Sequence, residues 1–114
     1  MAIQTTAQKN NLATDYGVDA THGAIYTTAP GATQGTEPSG GSPAYARKAL
    51  SWSAPSNGTI TATATFDVPS GATIVGIGVH TALTAGTYLD GATITSQAFA
   101  SQGTLAVTFT YTQS

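Results

Sequence analysis

A chain of 114 residues, 40% of them apolar, is long enough for one domain with a modest core. Only 7% of its residues are charged, three Lys/Arg against five Asp/Glu, too few cations to cluster on phosphates, so no nucleic-acid partner is expected. The lack of cysteine removes disulfides, thiolate catalysis and thiolate metal sites, and no apolar run approaches a membrane span.

The first segment, MAIQTTAQKNNLATDYG, holds no apolar run of signal-peptide length, so the chain is expected to be made and used without Sec export. Within it, Ala7, Leu12, Ala13 and Tyr16 recur at helical spacing. That predicts one short helix over 5–16, with Gly17 as its stop. From there the composition is that of β structure, with 22 Thr and 13 Gly in the whole chain.

HGAIYTTA predicts a strand around Ala24 to Ala29. PGATQGTEPSGGSP, residues 30–43, carries four glycines and three prolines and predicts a long loop. With so few charges, that loop is read as a contact arm rather than a solvated linker. In TITATATF, Ile60, Ala62, Ala64 and Phe66 share one face and threonines the other. In TLAVTFTYT, Leu105, Val107, Phe109 and Tyr111 do the same. Such alternation marks half-buried antiparallel strands. ATIVGIGVHTA is apolar on both faces and reads as a central strand. Asn57-Gly58, Ser70-Gly71, Asp90-Gly91 and Gln102-Gly103 are read as turns. The expectation is a single domain over 1–114, mainly β. It is a small antiparallel β-sandwich of Greek-key or jelly-roll type, with a helical N-terminal segment (1–20) and the 30–43 arm.

Chemistry finds little support. His22 and His80 are too few for a three-His zinc site, and His80 reads as a polar residue at a strand end. Asp15, Gly17 and Asp19 spell D-x-G-x-D, but the later bidentate Glu of a calcium loop is missing. The glycines of Gly76-Ile77-Gly78 lie within a strand pattern, so they are no phosphate loop. Serine and threonine abound without a nucleophile elbow. No catalytic residue, metal or cofactor is expected.

AYARKALSW places two of the three cations, Arg47 and Lys48, side by side. On a strand they point to opposite faces, so they form no common patch. Leu50 and Trp52 are expected to feed the core. Arg47, flanked by Tyr45, is expected to anchor the preceding loop or a partner, with Glu37 as its first intramolecular candidate.

Thr33 to Glu37, Gly40 to Ser42, Tyr45 to Arg47, Trp52, Phe66 to Thr73 and Gly86 to Gly91 follow an order that resembles a known family. It is one of short tailed-bacteriophage virion proteins, common in phages of actinobacteria, and the likeness spans roughly residues 10 to 92. The resemblance implies no enzyme activity and no cofactor. Members are tail-fibre-like or capsid decoration proteins. The absence of heptads and fibre repeats makes decoration the first expectation: a cement protein on the capsid exterior, assembled in the host cytoplasm. It would cross-bridge the major capsid protein lattice, with a homotrimer favoured. The alternative is a tail or fibre component that recognises a host surface glycan. Expected partner contacts are Thr33, Glu37, Tyr45, Arg47 and Tyr88, the last beside Asp90 where it would stack on a sugar.

Overall fold

The extended backbone of Thr5 and its side-chain oxygen, which accepts from Gln8 N–H at 3.2 Å, start helix α1, Thr6–Asp19. The structure, a computed structural model, describes residues 3–114. The helix runs past Gly17, the residue expected to stop it. Gly17 serves instead as the point of close approach: a Cβ there would lie 3.1 Å from Trp52 Cδ1 and 3.2 Å from Ile60 Cδ1. A glycine inside a helix costs about 1 kcal/mol of propensity, and here it lets α1 lie directly on Trp52.

Six strands follow: β1 His22–Tyr26, β2 Lys48–Ala49, β3 Thr59–Val68, β4 Thr73–His80, β5 Tyr88–Ala98 and β6 Gly103–Thr112. They form a four-stranded sheet in the order β2-β1-β4-β5 and a two-stranded sheet β3-β6, antiparallel throughout. β4 pairs with β5 in one sheet, and β3 pairs with β6 in the other. This is a long hairpin folded over on itself, the nesting from which jelly rolls are built. The fold is the expected one, an antiparallel β-sandwich with one short N-terminal helix.

The alternating residues of β3 and β6 supply one side of the core. Phe66 and Val68 are fully buried, and Val107 and Phe109 nearly so; Ile25, Ile74 and Val79 answer from the four-stranded sheet. Leu50 and Trp52 pack against this cluster half-buried, as expected. The strand expected at Ala24–Ala29 lies two to three residues earlier. AYARKALSW contributes only the two residues of β2, because Tyr45 and Arg47 turn their side chains to Glu37 before the chain joins the edge of β1.

Asn57 (φ 51°) and Gly58 (φ 77°) make the expected tight turn, and Gly71 (φ 84°) makes another. Asp90-Gly91 does not turn. It lies inside β5, where Gly91 pairs with Gly78, and the chain reverses instead at Thr81–Thr87 through Ala85 and Gly86. The glycines here make room for rings. On the sheet face opposite Ile25 and Val79, a Cβ at Gly78 would fall 2.6 Å from Tyr26 Cε2, and one at Gly91 3.0 Å from Pro30 Cβ. The first part of the 30–43 loop lies over this face, and Ala24, Tyr26 and His80 are buried beneath it.

Candidate functional site

Beyond β1 the chain doubles back. Thr27 N–H donates to Thr36 O at 2.7 Å, and Thr36 N–H to Thr28 Oγ1 at 2.8 Å. Gly35 permits this turn-back, since a Cβ there would lie 2.8 Å from that of Tyr26. The fold-back delivers Glu37 to the place where β2 stops short of pairing all of β1.

Three of the expected contact residues meet there. Tyr45 Oη donates to Glu37 Oε2 at 2.7 Å, and Arg47 Nη2 and Nε donate to Oε1 at 2.7 and 3.0 Å. Arg47 Nη1 reaches the opposite turn and donates to Ala82 O at 3.1 Å and Ala85 O at 2.8 Å. The Tyr45 hydroxyl also accepts the Ile25 N–H at 3.4 Å. One guanidinium thus ties together the returning loop, its own segment and the β4–β5 turn. The Arg47 side chain is 10% exposed and that of Glu37 19%.

Burial disfavours the charge of Glu37, but the hydrogen bonds from Arg47 and Tyr45 outweigh it and hold the carboxyl below its usual range. The same Glu37 hydrogen bond raises the pKa of Arg47. Burial, then Glu37, pushes the Tyr45 hydroxyl upward, so it remains a donor. Arg47 spends its donors on the protein itself, and its role here is to hold a frame. Lys48 faces elsewhere and meets Asp67 at 3.6 Å, so the two adjacent cations serve different acids.

Thr33 is exposed on the loop, where its carbonyl accepts from Gly31 N–H at 3.0 Å. Tyr88 is not the free stacking platform expected of it. Its hydroxyl donates to Gly31 O at 2.9 Å, and its ring packs 5.6 Å from that of His80 and 6.3 Å from that of Tyr26. The glycine trough draws the ring in against the sheet. Of the exposed large apolar groups, Val18, Leu83 and Leu89, the one beside this frame is Leu83, 51% exposed in the Thr81–Thr87 turn. It borders a shallow groove with Tyr45, Ala46, Thr84 and Ala85.

Two further clusters escaped the sequence reading. His80 ends β4, as expected, but it is 1% exposed; its Nε2 lies 2.6 Å from Tyr26 Oη, and its Nδ1 has no partner. Burial lowers its pKa, and the positive Arg47 adds to this against the pull of Glu37. Both His80 and Glu37 therefore titrate lower in the folded chain than their ordinary 6.5 and 4.5. The unfolded chain takes up protons first, so stability is full above about pH 6.5 and is lost on acidification, through His80 first and then Glu37. Thermal melts above and below pH 6.5 should show this decline, and His80→Gln should abolish its first part.

The other cluster closes the side of the sandwich. Tyr16 stacks on Tyr111 at 3.8 Å, stands edge-on to Trp52 at 6.0 Å and donates to Asp90 Oδ2 at 3.2 Å. Trp52 Nε1 donates to Ala20 O at 2.8 Å. Behind them a cleft of about 80 Å³ runs between the sheets. These residues come from four separate segments, and no local pattern joins them.

Among the described residues no group of three or more His, Asp or Glu is placed to hold a metal, and no helix is long and apolar enough to cross a membrane. No curated protein and no solved structure matches the chain. A family model described as podophage GP4 fiber I protein gp80 matches residues 7–113.

Proposed function

The chain belongs to the podophage GP4 fiber I protein gp80 family and is a structural virion protein rather than an enzyme; from that membership we propose that it is a tail-fibre component that meets a host surface glycan. The observation that carries this reading is the family match, which takes in almost the whole chain under the description of a fibre protein. It favours the fibre alternative over the decoration reading that ranked first on sequence. The capsid-lattice partner, the capsid-exterior location and the trimer expected with that reading have no comparable support.

Within this reading the contact surface is the groove that Arg47 and Glu37 frame. Leu83 and Thr84 are its exposed groups, and Tyr45 and Arg47 hold the loops behind them, whereas Thr33 is exposed on the loop beside Gly31. Tyr88 holds the start of the 30–43 loop at Gly31. A neutral, weakly charged surface suits a glycan, which is bound through hydroxyl hydrogen bonds and apolar ring faces rather than through ion pairs.

Quantitative gels of purified virions separate the two locations. A fibre component is present in a few copies per particle, whereas abundance comparable with that of the capsid protein overturns the fibre reading. The glycan is tested by competition. Purified wild-type chain should slow phage adsorption to host cells, and Leu83→Asp should lose that effect while melting at the wild-type temperature. Undiminished competition by Leu83→Asp rules out the groove.

A further inference from the structure

β6 carries backbone groups that nothing else in the described chain uses. Gln113 N–H donates to Gly58 O at 2.8 Å, so residue 113 faces β3, and the β3–β6 register is unbroken from Gly103 to Thr112. Backbone groups alternate sides along a strand. The N–H and C=O groups of Thr104, Ala106, Thr108, Thr110 and Thr112 therefore point away from β3. The partner strand has the same phase: Thr61, opposite Thr110, turns its own groups outward to Ser53. The edge of β3 is thus partly covered. β6 ends its sheet with none of the devices that protect an edge, since its ten residues include no charge and no proline.

The sandwich is also lopsided. A two-stranded ribbon is marginal by itself, and here it faces a sheet of four. The cleft lined by Asp90, Ala92, Phe109 and Thr110 lies between β5 and β6.

We propose that the outer edge of β6 is an interface between two copies of this chain, β6 against β6 and antiparallel, which makes one continuous sheet β3-β6-β6-β3. The strand's own sequence identifies the occupant. Full overlap centres on Thr108 opposite its own counterpart, with Thr104 opposite Thr112 and Ala106 opposite Thr110. All five outward-facing residues then meet as hydrogen-bonded pairs. On the inner face Leu105 meets Tyr111 and Val107 meets Phe109, aliphatic against aromatic, the favourable kind of cross-strand pair. No charge is opposed anywhere. A foreign strand would have to match this length, alternation and neutrality, whereas a second copy does so by identity. The contact is isologous and closes at two. It rests on strand topology and stands whether or not the fibre reading does.

Sedimentation across micromolar concentrations should give a species of twice the 11.4 kDa chain mass. Thr108→Pro removes one outward N–H and leaves the β3 ladder intact, so it should return the mass to that of one chain. Thr108→Lys, which opposes two like charges across the two-fold, should do the same with the β-rich circular dichroism kept, even if the proline variant fails to fold. Amide exchange at Thr104, Ala106, Thr108, Thr110 and Thr112 should be slow in the wild type and fast in Thr108→Lys. A wild-type chain that stays monomeric overturns the proposal. So does a trimer, or a dimer in which these five amides exchange fast.

Discussion

Arg47→Met should destabilise the protein by about 3 kcal/mol, a fall of roughly 10–20 °C in Tm for a domain of this size. Methionine keeps most of the side-chain volume, so the loss isolates the hydrogen bonds. Glu37 would keep its carboxylate, 19% exposed, with Tyr45 as its one remaining donor, and the carbonyls of Ala82 and Ala85 would lose theirs. An orphaned, largely buried charge is what makes half-broken pairs expensive. The partial exposure of the pair puts the expected loss at the low end of that range. Replacing both partners should cost less than the two single losses together, since the second change removes the charge that the first left stranded. Amides of Thr81–Thr87 should exchange faster in the single variant, because Arg47 is what ties that turn to Glu37. A Tm within a degree or two of wild type would sink the idea that this guanidinium holds the loops.

Phe66→Ala should cost about 4 kcal/mol, a large share of the 5–15 kcal/mol that a domain typically has in total. Phe66 is fully buried; its ring stands edge-on to Phe109 at 6.2 Å and lies 6.4 Å from Tyr45. It joins the two-stranded sheet to the residues behind the Glu37 frame, so the cavity would loosen both. Urea unfolding should show the midpoint fall with the slope unchanged. Phe66→Leu should cost markedly less, because it returns most of the apolar volume. Equal losses for the two variants would mean that the ring's shape, and not its volume, holds this part of the core.

The strands whose side chains alternate could be read directly. Ile60 to Phe66 and Leu105 to Tyr111 carry their burial in a two-residue period, and that period survives any arrangement of the rest of the chain. The apolar run of β4 likewise marked a central strand. The Glu37–Arg47 pair was legible because its partners are ten residues apart and few other charges compete for them. Read by local habit, glycine marked the turns at Gly58 and Gly71 correctly but was misread at Gly17 and Gly91. Gly17 answers to Trp52 and Gly91 to Pro30, residues distant in the chain, and no neighbour in sequence announces such an approach. The burial of Tyr26 and His80 required the loop after β1 to fold back over its own sheet. The Tyr16–Asp90–Tyr111 closure required the helix to meet two strands 74 and 95 positions further on. Alternation along a strand is a property of consecutive residues and is written in them. Which face a loop covers, and which backbone edge is left open, depends on how the sheets stack, and that was decided only when the chain had folded.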